Sequence, residues 1–432
     1  MELFRNLVVR WSWTILLSVT ISTLGLGQSP QSGTSPGVVG SQSGSGFVGV
    51  TLNGSDSRVR LAPFRDNMAA IELRGKYLSA LIGGFEQGAG LPVGVELSTA
   101  GKIPGVELRA RAITSTRLYQ RLEAGLWIPK LGETQNRLDL WVGYRRRTRD
   151  NLFSHGQQSP NRPETNYATE QRSINLVYTR QVARGIEAGA YSQLASGNAY
   201  PGSERGTDDL PIDQLFSTNP ASPSWLPGLH TDVRTLTAGL FAQIDHRNND
   251  IGLTRGYYIY ARLASTDGLK HDRFSDFGWW ETELDGQTFL RLGGERNSLA
   301  LRGLALLKQP RGGSQIPFYD LALMGGRTLH RGYRNFRLRG NNLVVLTVEP
   351  RRTIHRRSET RGVDAFVFGD AGQIWGDNRP AAVSSRHLAA ANWRYALGGG
   401  LQYRHNRTVA FRIEIAHGRE DLRAFVSMTR GF

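Results

Sequence analysis

The sequence predicts an all-β fold: a transmembrane antiparallel β-barrel of about sixteen strands, with a long loop between the eleventh and twelfth. Three observations predict it. Strict two-residue alternation of apolar and polar side chains recurs in sixteen segments. The connections between those segments sort by parity into long and short. Charged residues stand at nearly every second strand position, which a water-filled lumen accommodates and a dry sandwich core does not.

The alternation is plain in Arg137–Arg145, where Leu138, Leu140, Val142 and Tyr144 share one face and Arg137, Asp139, Gly143 and Arg145 the other. Residues 106–112 set Val106, Leu108, Ala110 and Ala112 against Glu107, Arg109 and Arg111. Residues 408–416 set Val409, Phe411, Ile413 and Ile415 against Arg412 and Glu414. Such a period of two marks a strand with one apolar face. The sixteen candidates lie near 68–82, 91–99, 104–115, 119–128, 137–149, 167–181, 185–195, 234–246, 255–264, 279–292, 297–308, 342–353, 363–375, 392–404, 408–417 and 422–432. Connections after odd-numbered candidates are long (150–166, 196–233, 265–278, 309–341, 376–391), and most of those after even-numbered ones are short (182–184, 293–296, 405–407). Outer-membrane barrels put long loops outside and short turns in the periplasm.

The rest of the chain is read as follows. Residues 1–27 are expected to be a signal peptide, with Arg5 and Arg10 ahead of an apolar run from Trp11 to Leu26. Residues 28–67 form an extension that begins as a Gly/Ser/Pro-rich flexible linker, and 68–432 form the barrel. The chain has no cysteine, which excludes a disulfide scaffold, thiol nucleophiles and thiolate metal sites. No cofactor and no metal site is expected, because the nine histidines show no ligand spacing. The net charge of +16 does not imply nucleic acid, because arginines alternate along strands instead of clustering with stacking aromatics. Ser154-His155 is the one adjacent Ser/His pair; with no third partner it is read as an ordinary loop pair rather than a barrel hydrolase site.

The loop before candidate strand twelve carries the sharpest signal. Gly325–Asn342 contains Arg327, Arg331, Arg334, Arg337 and Arg339 and no acidic residue. Downstream, the period places Thr347 and Glu349 on the lumen face of strand twelve, opposite Val344, Leu346 and Val348. On strand thirteen, Phe366, Phe368 and Asp370 face in and Val363, Ala365 and Val367 out. Glu349 and Asp370 would then repel each other on one wall, and the planar fork of a loop guanidinium can bridge both. Gly332 permits a close backbone approach or a positive φ. Tyr333 is expected to wedge against the wall with Phe368 as neighbour. Arg334, Arg337 and Arg339 are read as solvated loop charges or contacts to lipid phosphates.

These residues carry a resemblance. The segment "HRGYRNF", the F-x-D-x-G pattern of Phe368 to Gly372, the strand "NNLVVLTVEPR", the segment "QIDHRNNDIGLTRGYYIYARL" and the terminal Phe432 together resemble the BamA/TamA superfamily of outer-membrane assembly and translocation barrels. That superfamily includes the two-partner secretion transporters and the bacterial surface antigens. The resemblance covers residues 235–432 by motif and 68–234 by architecture. It implies that the long loop between strands eleven and twelve folds inward on a loop-lock motif of Arg331, Gly332 and Tyr333, with Glu349, Phe368, Asp370 and Gly372 as lumen partners and Phe432 as the barrel's C-terminal recognition signal. It implies a bacterial outer-membrane location and a non-enzymatic role in inserting barrel proteins or translocating a polypeptide. The alternative is a surface antigen or passive pore that keeps the barrel alone. Implied partners are outer-membrane lipid and lipopolysaccharide, client barrels or a secreted polypeptide, and a separate periplasmic protein. This last is expected because residues 28–67 are too short for the POTRA domains such barrels usually carry. The family's position before the arginine is usually aliphatic, and here it is His330.

Overall fold

The computed structural model describes residues 77–428, except 84–88, 100–102, 133–134, 154–163, 203–209, 220–221, 223, 248–254, 270–275, 359–360, 377–387 and 406–408. It also describes the strand 70–74 and a two-residue ladder of Gly46–Phe47 with Arg60–Leu61. The signal segment, most of the linker, Ser154-His155 and Phe432 lie outside the described residues.

One antiparallel sheet holds the barrel. Its strands are β1 (Ala70–Arg74), β2 (Leu78–Gly83), β3 (Pro92–Ser98), β4 (Glu107–Ser115), β5 (Gln120–Ile128), β6 (Asn136–Leu152), β7 (Thr165–Ala183), β8 (Ile186–Pro201) and β9 (Val233–Asp245). They continue as β10 (Gly256–Gly268), β11 (Gly278–Arg291), β12 (Asn297–Pro310), β13 (Asn342–Arg356), β14 (Gly362–Trp375), β15 (Arg394–His405), β16 (Val409–His417) and β17 (Leu422–Met428). Each pairs with the next in sequence, and β17 and β1 are neighbours in the barrel order.

Sixteen of these strands, from Leu78 onward, correspond to the sixteen periodic segments. The difference is at the start. The first candidate, 68–82, is two strands, because the chain reverses between Arg74 and Leu78 and pairs Arg74 with Ser79. In the sequence, Gly75-Lys76 interrupts the alternation within that candidate. Strand numbers therefore run one higher than the sequence count.

Exposure follows the predicted faces. On β13, Leu346 and Val348 are exposed while Thr347 and Glu349 are buried; on β14, Val367 is exposed while Phe366, Phe368 and Asp370 are buried. The exposed apolar set suits lipid, and no helix among the described residues is long and apolar enough to cross a membrane. At the long-loop end, an apolar cluster including Leu152, Tyr167, Ile212, Leu226, Phe277 and Phe318 ties three connections to the ends of β6 and β7. Beneath it, residues 311–341 turn into the lumen on two short strands, Ala322–Met324 and Leu338–Gly340, which pair with each other.

Candidate functional site

The turn between these short strands ends at Arg331. Gly325 and Gly326 open it with φ of 123° and 89°, conformations open to glycine and strained for other residues. A Cβ on Gly325 would stand 2.1 Å from the Arg334 carbonyl oxygen. The Tyr333 N–H donates to the His330 carbonyl at 3.3 Å, and its own carbonyl accepts from the Gly326 N–H at 3.0 Å, which closes the turn.

Arg331 is buried, and its guanidinium is held by three carboxylates. Asp370 accepts from Nη2 at 2.8 Å, from Nε at 2.9 Å and from the Arg331 backbone N–H at 3.0 Å. Glu349 and Glu414 each accept from Nη1 at 3.0 Å. The guanidinium carbon also lies 3.2 Å from the centre of the Phe368 ring. Burial disfavours the arginine's charge, yet the Asp370, Glu349 and Glu414 carboxylates hold its proton above the ordinary arginine range. The acids are tied in turn to the wall. Thr347 donates to Asp370 at 3.0 Å, Arg351 to Glu349 at 2.7 Å, and Arg412 to Glu349 and Glu414, each at 3.2 Å. Arg412 lies over the Phe366 ring as Arg331 lies over Phe368.

The alternation explains why these groups meet. Thr347 and Asp370 are directly paired across β13 and β14, and Glu414 faces the same lumen from β16. Glu414 and Arg412 are the partners that sequence reasoning missed. Their signal was present in the charged face of residues 408–416, without a reason to aim it at the loop.

The two glycines of the motif act by room, not by unusual φ. A Cβ on Gly332 would stand 2.6 Å from the Ala396 Cβ and 3.0 Å from the Gly418 Cα. A Cβ on Gly372 would meet the Met324 sulfur at 2.7 Å and the His330 ring at 3.0 Å. Gly372 thus makes the space that His330 fills. The His330 Nε2 lies 3.0 Å from the Arg394 carbonyl, so it carries the proton and donates; burial keeps the ring neutral by lowering its proton affinity.

Two expectations are corrected. Tyr333 does not neighbour Phe368. It packs with Leu304, Met324, Leu338 and Ile374 and edge-on to His330, whose ring centre is 5.0 Å away, because Arg331 already covers Phe368. Arg337 and Arg339 are not solvated. Arg337 is buried, pairs with Glu420 at 3.0 Å and lies 4.6 Å over the Phe153 ring. Arg339 is fully buried, donates to the Asn151 carbonyl at 2.9 Å and the Phe318 carbonyl at 3.3 Å, and lies 4.9 Å over Tyr167. Arg334 remains partly exposed, with Glu164 at 2.9 Å.

No group of three or more His, Cys, Asp or Glu side chains among the described residues could hold a metal ion. The arrangement is a charged clasp between a loop and the wall.

Comparison with known proteins agrees with the architecture. The Omp85 superfamily domain matches residues 88–420. BamA from Haemophilus ducreyi lacking POTRA domains 1–3 is similar at 14% identity, with 82% of this chain and 69% of that chain covered and a TM-score of 0.60. CdiB from Acinetobacter baumannii, at 14% identity, covers 82% of this chain and 57% of that chain with a TM-score of 0.47. CdiB from Escherichia coli, at 12% identity, covers 83% and 63% with a TM-score of 0.49. This chain therefore spans less than two thirds of either CdiB chain. No curated protein matches. With the domain matched over most of its length, the chain belongs to the Omp85 superfamily.

Proposed function

We propose that this chain is a bacterial outer-membrane barrel that inserts other barrel proteins into the membrane or passes a polypeptide through it. In this reading Arg331, Gly332 and Tyr333 are the lock of an inward loop, with Glu349, Phe368, Asp370 and Gly372 as its seat. The role is mechanical, and no covalent reaction is part of it. The observation that carries the reading is Arg331 clasped by Asp370, Glu349 and Glu414 inside the lumen. A loop fixed there fills space that a passive pore would leave to solute. It also fixes the relative positions of β13, β14 and β16, close to the neighbouring β17 and β1. Membership of the superfamily gives the direction: its BamA-like barrels assemble or translocate polypeptide. Partners on this reading are outer-membrane lipid, a client polypeptide and a periplasmic protein that delivers it.

The test is depletion of the protein followed by profiling of outer-membrane proteins and of secreted polypeptides. Loss of a subset of either is expected. An unchanged profile with altered solute leakage would replace this reading by the passive pore.

A further inference from the structure

The short-turn end of the barrel carries a charge feature that the loop clasp does not use. Residues 351–361 hold five arginines, Arg351, Arg352, Arg356, Arg357 and Arg361, against Glu359, a net charge of +4 (5 − 1) with His355 neutral. Arg351 is buried on Glu349, but Arg352, His355, Arg356 and Arg357 are exposed.

The position of Arg352 and His355 is fixed by register. Arg352 pairs with Ala365, which pairs with Leu401; His355 pairs with Val363, which pairs with Tyr403. Directly paired residues share a sheet face. Leu401 and Tyr403 are 51% and 46% exposed, so both rows lie on the outer, lipid-facing side of the barrel. An outward tyrosine at the end of an apolar strand face marks the depth of the headgroups. Arg352 and His355 stand on that outer face, whereas Arg356 pairs with Gly362, which pairs with the buried Arg404, and so stands on the lumen side. A β-bulge between Thr353 and His355 leaves Ile354 unpaired and 55% exposed in the middle of the group. Bulges at barrel rims re-aim side chains, and this one sets an apolar residue between cations. Arg356 also binds Glu295 of the adjacent turn at 2.5 Å, which orients the hairpin tip.

We infer that Arg352 and Arg357, with His355, Ile354 and Tyr403, form a binding site for the phosphate headgroup of an anionic phospholipid in the leaflet at the short-turn end. Lipid is the occupant because Arg352 lies on the same outer face as Leu346 and Val348, below the apolar band, where a soluble acidic peptide has no access. An arginine there needs a phosphate at headgroup depth, and basic clusters beside membrane spans bind anionic lipid. This inference stands apart from the assembly or translocation reading; it needs only the barrel in its membrane.

The experiment is native mass spectrometry of the full chain purified in detergent, titrated with phosphatidylglycerol, phosphatidylcholine and lipid A. The variant R352Q/R357Q is compared with R184Q/R255Q, which removes equal charge from other turns of the same rim. Retarded mobility of unheated samples in gels reports that each barrel is folded. Phosphatidylglycerol should be retained over phosphatidylcholine by the parent chain. Its affinity should fall about thirtyfold in the first variant, from two arginine contacts, and less than about twofold in the second. Equal loss in both variants, no loss in the first, or preference of this site for lipid A would overturn the inference.

Discussion

Gly332 and Gly418 pass backbone against backbone, so close that a Cβ on Gly418 would stand 2.6 Å from the Gly332 carbonyl oxygen and 2.8 Å from its Cα. The inward loop thus touches the turn that joins β16 to β17, at a point where neither chain can carry a side chain. Gly418→Val should force the loop tip off the wall, with an overpacking cost of about 1–3 kcal/mol. Limited proteolysis of the folded barrel should then show faster cleavage within 325–341. Cleavage at the parent rate would mean the contact does not position the loop.

Arg331→Ala leaves Asp370 without two of its donors, and Glu349 and Glu414 without one each. Removing one partner from a buried charge cluster costs about 3–5 kcal/mol. A drop in the thermal midpoint of the folded form on gels, together with loop cleavage, is expected. Arg331→Lys should recover only part of this, because an ammonium cannot reproduce the fork that spans Asp370 and Nη1's two acceptors. The exchange Arg331→Glu with Asp370→Arg is expected to fail. Glu349 and Glu414 also face position 331, and a glutamate there would meet both. Restored protection by the exchange would show that Asp370 alone holds the loop.

The other loop arginines should separate sharply. Arg339→Ala removes a fully buried cation seated on Tyr167 and two carbonyls and should cost about 2–3 kcal/mol or more. Arg337→Ala leaves Glu420 without its partner and should act in the same direction. Arg334→Ala, at a side chain 47% exposed, should change stability by less than about 1 kcal/mol. Denaturation midpoints of the three variants check the order.

His330 makes the clasp sensitive to acid. Burial lowers its proton affinity below the free value of 6.5, and a second positive charge would sit beside Arg331. A base whose affinity is lower folded than unfolded binds more protons unfolded, so stability is full above pH about 6.5 and falls as the pH drops through the window below it. Loop cleavage should rise over that range in the parent chain. His330→Leu should remove this pH dependence; a persistent rise in that variant would assign it to another group.

Much of the barrel was legible because a lipid-facing strand leaves a two-residue signature. The faces of β13 and β14, and so the meeting of Glu349 and Asp370, follow from that period. What the period could not carry was the interior of the loop. A basic run looks alike whether solvent or aromatic rings surround it, and the rings under Arg337 and Arg339, Phe153 and Tyr167, come from β6, β7 and their connection, far away in sequence. Tyr333 was misplaced for a related reason. Alternation gives the side a residue faces, but not which of two groups reaches a given ring first. The pairing of Ala70–Arg74 with Ser79–Gly83 was missed because a single glycine interrupts a short apolar pattern without ending it.

The loop's partners are spread along the chain: Asp370 lies 39 residues after Arg331, Glu414 83 residues after it, and Asn151 188 residues before Arg339. Each contact closes a long loop, and closure is the slow and entropically costly part of building such a structure. The seat for Arg331 does not exist until β16 has joined the sheet, and the bed for Arg339 waits on the loop's return to the β6–β7 hairpin. The clasp is therefore expected to be among the last contacts to form as the chain folds, and its protection from protease marks a barrel whose wall is already complete.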